Sequence, residues 1–292
     1  CDKRCTYCII PKLPGNYRSV PMEELIAQAE YMAEKGVREL IVVAQETTIY
    51  GTDLYGKKSL HILLKKLCWI PGIQWIRVLY CYPEEIYPEL IETMKKEKKI
   101  CHYLDLPIQH CSDRILKRMG RRTTKQELMD IVETLRREIP DIILRTTLIT
   151  GFPGETQEDH EELMEFIDTM EFDRLGVFTY SAEEDTPAAR MPDQIDEEVK
   201  LDRQAELMEL QQEISLDKGN QRIGTVVEVM IEGKVADENA YVGRTYGDAP
   251  NVDGYIFVNT DTELLSGDFA LVHVTGALEY DLIGELKDEY TE

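Results

Sequence analysis

The residues best equipped for chemistry come first. Cys1, Cys5 and Cys8 stand in a C-x3-C-x2-C pattern on a short polar stretch, with Tyr7 directly before the third cysteine. Thiolates this close in sequence suggest a metal or iron–sulfur site. Structural zinc normally takes four protein ligands, and neither a histidine nor a fourth cysteine lies nearby. Three thiolates on a cubane of four irons would leave one iron open to a small molecule. A zinc site or a disulfide is the alternative that the spacing alone leaves standing.

Such a loop needs a scaffold, and residues 21–180 read as one. Met22, Leu25, Ile26, Ala29 and Met32 recur at helical spacing over 21–36, with Gly36 as a stop. Short apolar runs of buried-strand type follow at 40–44, 75–80, 102–106, 142–149 and 175–180. Helices are expected between them at 59–68, 83–98, 112–119 (capped by Ser112), 125–138 and 157–170. Thr124-Lys125-Gln126-Glu127 and Thr156-Gln157-Glu158-Asp159 have capping-box form. Strands alternating with helices mean a parallel sheet flanked by helices. After a loop over 181–194, a long polar helix is expected at 196–218. From Arg222 the chain reads as short strands and turns (224–231, 241–244, 255–258, 269–274), which suggests a small antiparallel barrel.

With Tyr7 included, the cysteine loop is C-x3-C-x-aromatic-C, which resembles the signature of the radical S-adenosylmethionine (SAM) enzymes. The continuation Ile9-Ile10-Pro11-x3-Gly15-x2-Arg18-Ser19 is similar to the methylthiotransferase branch of that family. So are the run from Leu106 to Met119 and the stretch Gly151-Phe152-Pro153-Gly154-Glu155-Thr156. The pair Gln109-His110 resembles the branch that modifies a ribosomal protein; the tRNA-modifying branch usually has Gln-Ser-Gly there. In the last third, the run Asp248-Ala249-Pro250-Asn251-Val252-Asp253-Gly254 looks like the ribosomal-protein branch again, within a domain that resembles TRAM. The resemblance covers essentially all 292 residues.

The resemblance implies a partial, open β/α barrel of six strand–helix units over 1–194, its first strand just upstream of Cys1. A connecting helix over 195–221 and a TRAM-like barrel over 222–292 complete the chain. It implies a [4Fe–4S] cluster on Cys1, Cys5 and Cys8 whose open iron chelates the amino and carboxylate groups of SAM. One electron then cleaves SAM to a 5′-deoxyadenosyl radical, which abstracts hydrogen from an unactivated carbon. The family product is a methylthio group on the β-carbon of an aspartate in a small-subunit ribosomal protein, with a second SAM supplying the methyl. A further N-terminal domain, expected to be missing here, carries a second [4Fe–4S] cluster involved in sulfur delivery. An electron donor such as flavodoxin or ferredoxin is implied.

In such barrels the chemistry sits at the C-terminal ends of the strands. The SAM neighbours the resemblance implies are Tyr7 in the cysteine loop, then Gln45, Glu46 and Thr47 for the ammonium, with Glu46 or Thr47 as a plain loop residue the alternative, and Gln109. Arg145 would meet the SAM carboxylate with a fork of donors, or form a structural ion pair instead. Gly151 and Gly154 would let backbone approach the adenine, with Tyr180 nearby or simply packed in the core. His110 would face the barrel mouth or cap the following helix. Cys68, Cys81, Cys101 and Cys111 read as buried hydrophobes, and His61, His102, His160 and His273 as structural.

Composition limits the partners. The net charge is −23, and residues 222–292 hold four basic residues against fifteen acidic ones, a net of −11. Affinity for a nucleic-acid backbone comes largely from Lys and Arg, so a basic protein is the expected partner and tRNA the alternative. A non-catalytic RNA-binding module with a metal loop is the third reading. No apolar run approaches a membrane span, and seven cysteines, an odd number, fit a reducing cytoplasm better than a disulfide framework.

Overall fold

The protein is described by a computed structural model over residues 1–13 and 15–287. Pro14 of the cysteine-loop motif and residues 288–292 of the expected barrel lie outside the described residues. The chain divides into two compact units, Cys1–Gln211 and Gln212–Glu292.

The first unit is built on five strands: β1 (Glu39–Val42), β2 (Trp75–Val78), β3 (Ile100–Asp105), β4 (Ile143–Thr150) and β5 (Arg174–Thr179). They pair in sequence order, all parallel. Helix α1 (Met22–Glu34) precedes β1; α2 (Thr52–Tyr55), α3 (Leu60–Cys68), α4 (Pro88–Lys96), α5 (Asp113–Met119), α6 (Lys125–Glu138) and α7 (Gln157–Met170) connect the strands, and α8 (Glu197–Gln221) follows. Parallel strands need such crossovers. Both expected capping boxes form, at Thr124/Glu127 and Thr156/Asp159. On β4, Leu144, Thr146, Leu148 and Thr150 are buried, while Ile143, Arg145, Thr147 and Ile149 stay half-exposed. That alternation puts Leu144 and Leu148 in the packed core and leaves Arg145 and Thr147 on the other, half-exposed face. The four cysteines outside the loop are all buried.

Three local expectations change. The helix expected from residue 83 begins at Pro88; Pro83–Glu85 is one 3-10 turn. Tyr87, directly before Pro88, is extended (φ −142°, ψ 156°), because the proline ring disfavours helical geometry in the residue ahead of it. The short helix α2 was not anticipated. Ser112 occupies the N-cap position of α5 without capping it; its hydroxyl donates to Asp159 Oδ1 at 2.7 Å instead.

The second unit is a closed barrel in the order β10-β8-β7-β6-β9, with β6 (Val226–Lys234), β7 (Ala240–Thr245), β8 (Ile256–Asn259), β9 (Phe269–Ala277) and β10 (Leu282–Leu286). Four pairings are antiparallel and β8–β10 is parallel. An odd number of strands cannot close with every neighbour antiparallel, so the fifth strand forces one parallel seam. The sequence showed only four strands, because β10 is short, carries Gly284 in its middle and shifts register there. Its core is Val229, Ile231, Tyr241, Ile256, Val258, Val272, Val274 and Leu282.

Candidate active site

The cysteine loop is fastened to the end of α5 and to the 3-10 turn Ala188–Arg190 by Thr6. Its N–H donates to the Met119 carbonyl at 2.8 Å, its hydroxyl to the Arg118 carbonyl at 2.8 Å, and its own carbonyl accepts from the Ala188 N–H at 2.9 Å. The loop is thereby held at the end of α5. Cys5 is buried; Cys1 and Cys8 are half-exposed. The Cys8 N–H donates to the Cys5 carbonyl at 3.1 Å, and Cys1 Sγ lies 3.9 Å from the Tyr82 hydroxyl. Burial pushes the Cys8 thiol up, and charge on Cys5 adds to the shift. Arg4 in this loop has φ +55°, a left-handed conformation that non-glycine residues adopt at a cost.

Tyr7 joins the loop to two strand ends. Its ring meets Phe152 edge-on at 6.4 Å, and Phe152 meets Tyr180 at 5.3 Å. Ile115, Met119 and Ala188 complete this cluster. The structure thus brings together Cys5, Tyr7, the turn after β4 and the end of β5, which are far apart in sequence.

At the end of β1, Gln45 is exposed, while Glu46 and Thr47 are buried. The Thr47 hydroxyl is engaged by the Leu79 and Tyr80 carbonyls at 2.8 and 2.9 Å, so it splices β1 to β2. Glu46 Oε1 accepts from the Thr48 N–H at 3.0 Å and from the Thr48 hydroxyl. Its Oε2 is buried with no donor. Burial raises the Glu46 carboxyl above the ordinary range, only partly offset by Thr48 and by the charge of Lys3. A buried carboxylate oxygen without a partner is suited to an ammonium group.

Gln109, after β3, has φ +74°. Its backbone N–H and carbonyl are stitched to Thr147 and Ile149 of β4, and its half-buried side-chain amide has no partner among the described residues. His110 is fully buried. Its Nδ1 accepts the Ser112 N–H at 3.0 Å, so the neutral ring carries its proton on Nε2. That atom points at Glu155 Oε2, 3.6 Å away; it is inside ion-pair reach but too far for a hydrogen bond. His110 therefore organises the entry to α5 and the neighbouring carboxylate rather than projecting into the open.

Arg145 on β4 donates to Asp105 Oδ1 at 2.8 Å, and Asp105 Oδ2 accepts the Tyr80 N–H at 3.1 Å. One carboxylate thus ties the ends of β2 and β3 to β4. Of the two roles expected for Arg145, the geometry displays the ion pair. Tyr80 has φ +58°, so the ends of β2 and β3 both carry a left-handed non-glycine residue.

The Gly-Phe-Pro-Gly-Glu turn is held from inside. Glu155, 3% exposed, accepts from the Phe152 N–H at 3.2 Å, the Thr150 hydroxyl at 3.3 Å and Arg203 Nη1 at 2.9 Å. Burial alone would raise its carboxyl, but His110 and Arg203 hold it below the ordinary value. Gly151 (φ +70°) and Gly154 (φ +82°) have positions where a side chain would strike Lys200 and Arg118. Their glycine requirement is thus met by this chain's own side chains as well as by the turn. Lys200 donates to the Tyr180 carbonyl at 2.9 Å and lies 5.5 Å over its ring.

A radical SAM superfamily model matches residues 1–167, more than half of the chain. The chain belongs to the radical SAM superfamily. A TRAM domain model matches residues 223–286. The chain is 64% identical to ribosomal protein uS12 methylthiotransferase RimO of Lachnoclostridium phytofermentans, over 97% of this chain and 64% of that protein. The enzyme of the same name in Clostridioides difficile is 51% identical, over 98% of this chain and 64% of that one. The chain therefore spans just under two thirds of the length of these curated relatives. Among solved structures, the radical SAM methyltransferase TsrM from Kitasatospora setae superposes with a TM-score of 0.51 at 16% identity, covering 77% of this chain and 38% of that one. Methylornithine synthase (PylB) gives 0.50 at 15%, covering 72% and 60%. At that identity the two structures speak for the fold alone.

For a radical SAM protein the donor set is suitable. Three thiols share one anchored loop, and an unpartnered buried carboxylate oxygen stands at the end of β1. No three His, Cys, Asp or Glu side chains among the described residues are arranged to hold a single metal ion. A cubane takes each thiolate on a different iron, and so uses wider spacing.

Several site residues escaped the sequence reading. Asp105 was visible as a charge closing an apolar strand, and Glu155 lay inside a quoted motif without being singled out. Lys200 and Arg203 sit on the polar helix α8, where nothing distinguishes them from solvated neighbours. Arg121 is one of two adjacent arginines, and only the fold shows that it is the buried one.

Proposed function

We propose that this chain is the radical SAM and TRAM portion of a ribosomal-protein methylthiotransferase that acts on a basic small-subunit ribosomal protein. The observation that carries the reading is the 64% identity to the uS12 methylthiotransferase over nearly the whole chain. Cys1, Cys5 and Cys8 would hold a [4Fe–4S] cluster, and SAM would lie against Tyr7, Glu46, the Gly151–Gly154 turn and Tyr180. When bound, the pair supplies a carbon-centred radical for hydrogen abstraction.

The chain's own residues have definable tasks in this scheme. Glu46 Oε2 receives the SAM ammonium, Gln45 and Thr47 frame it, and the Gln109 amide is available to substrate or SAM. Arg145 offers its fork to the SAM carboxylate while anchored by Asp105. Sulfur delivery belongs to a second cluster outside this chain, and the reducing electron to flavodoxin or ferredoxin in the cytoplasm. Among the described residues no helix is long and apolar enough to cross a membrane.

The acidic barrel supports a protein partner over tRNA. One of its four basic residues, Arg244, is 2% exposed and paired with Glu232, so less positive charge reaches the surface than composition suggests. Such a field attracts a lysine- and arginine-rich protein and speeds encounter. Titration of this chain against the ribosomal protein and against tRNA, at two salt concentrations, tests the reading. Salt-sensitive binding to the protein is expected. Tight salt-sensitive binding to tRNA, with none to the protein, would overturn the choice of substrate.

A further inference from the structure

Arg121 follows α5 and is only 7% exposed. A guanidinium stays charged at any working pH, and burying it is costly unless a carboxylate and hydrogen bonds compensate. The other two buried arginines of this unit have such a partner: Arg77 has Glu39 at 2.8 Å and Arg203 has Glu155 at 2.9 Å. Arg121 has no carboxylate within ion-pairing reach among the described residues. One Nη donates to the Pro107 carbonyl at 3.0 Å, and its Nε is buried with no acceptor. Its guanidinium carbon lies 4.4 Å from the centre of the Tyr82 ring, whose hydroxyl is the group beside Cys1 Sγ. The groups around it that can be negative are the Cys5 thiolate and the Glu84 carboxylate, and Glu84 already faces Lys3 at 3.4 Å.

We infer that Arg121, backed by the Tyr82 ring, is the fixed counter-charge of the metal centre on Cys1, Cys5 and Cys8, a positioning residue that favours the reduced state of that centre. The inference rests on the proposed reading of the cysteine loop. Three thiolates make the centre anionic, and accepting one electron from an external donor adds a further negative charge. A fixed cation in a poorly screened site stabilises the more negative state.

The test is a potentiometric titration of the reconstituted full chain, with dithionite as reductant and electron paramagnetic resonance as readout. Arg121→Met removes the charge and keeps the bulk; Arg121→Lys keeps the charge. At a fixed solution potential the ratio of reduced to oxidised centre should fall at least tenfold in Arg121→Met, about 59 mV for one electron, and clearly less in Arg121→Lys. The metal-free Arg121→Met protein should melt no lower than wild type, since an unpaired buried charge has been removed. A merely structural arginine would give the reverse: a lower melting temperature and an unchanged ratio. An unchanged ratio in Arg121→Met overturns the inference. Should that variant fail to fold by circular dichroism, Arg121→Gln carries the same measurement. If wild type itself takes up no iron, the reading of the loop falls and the inference with it.

Discussion

The two units treat buried polar groups differently. In the barrel, the buried Arg244 donates to Glu232 Oε1 at 2.6 Å and to the Asp248 carbonyl at 2.8 Å. The Asp248 carboxylate in turn accepts from the Thr245 hydroxyl at 2.6 Å. In the sheet unit, Glu46 Oε2, His110 Nε2, Arg121 Nε and the Tyr180 hydroxyl are buried without partners. Native interiors pair nearly all such groups, so those left over mark where a scaffold is shaped for something besides its own stability. These four stand at the ends of β1, β3 and β5 and beside the cysteine loop, while others among the described residues, such as Thr123 Oγ1 and His160 Nδ1, lie elsewhere in the unit. The barrel closes its own accounts and presents charge outward; the sheet unit holds charge inward.

The largest expected effect separates the units outright. Cys5→Ala should abolish iron uptake on anaerobic reconstitution while leaving the barrel folded, as read by iron assay and circular dichroism. Full iron uptake by this variant would remove the basis of the comparison.

A smaller effect distinguishes two buried glutamates of the sheet unit, Glu155 and Glu46. Glu155 is held down by His110 and Arg203 against the pull of burial. Its stability contribution is present above its unfolded pKa of about 4.3 and is lost as pH falls through the lower folded value. Glu155→Gln leaves Arg203 buried and unpaired, which should destabilise the metal-free protein by about 3–5 kcal/mol at neutral pH, measured by urea unfolding. The loss should shrink under acid conditions. A loss that is independent of pH would contradict the ion-pair account.

In the barrel, Ile256→Ala should lower that unit's stability by about 2–5 kcal/mol through an unfilled core. Iron uptake by the cysteine loop should not change. Coupled loss of both would show that the units do not behave separately.

The smallest effect has the opposite sign from Glu155. Burial raises the Glu46 carboxyl, so ionised Glu46 destabilises the fold as pH rises above about 4.3 and through its higher folded value. Glu46→Gln should therefore melt slightly above wild type without SAM at neutral pH, with the difference closing in acid. It should also bind SAM more weakly, at least tenfold by titration calorimetry of the reconstituted protein. Unchanged affinity would end the role given to its free oxygen.

What the sequence disclosed follows the range of the interactions concerned. The five parallel strands and both capping boxes were legible because apolar runs and a Thr-x-x-acid spacing are local signals. The cysteine loop and the Gly-Phe-Pro-Gly turn were legible as motifs, and the fold adds that Tyr7, Phe152 and Tyr180 join them. The partners of Glu155 and Arg145 were not legible. Arg203 lies forty-eight residues beyond Glu155 and Asp105 forty before Arg145; strand register sets Asp105 opposite Arg145, and the packing of α8 brings Arg203 to Glu155. Tertiary context likewise moved Ser112 from a cap to a partner for Asp159. The parallel seam of the barrel escaped because it depends on counting a fifth strand that has weak strand character of its own.

On the proposed function, the anchored cysteine loop and the strand ends around it would form one SAM-cleaving site. The most direct measurement is anaerobic reconstitution with iron and sulfide, followed by Mössbauer spectroscopy and by assay of 5′-deoxyadenosine after addition of SAM and dithionite. About four irons per chain in a cubane are expected, one of them altered by SAM, with 5′-deoxyadenosine that disappears in the Cys5→Ala protein. Stoichiometric zinc, no iron uptake and no 5′-deoxyadenosine would contradict that function.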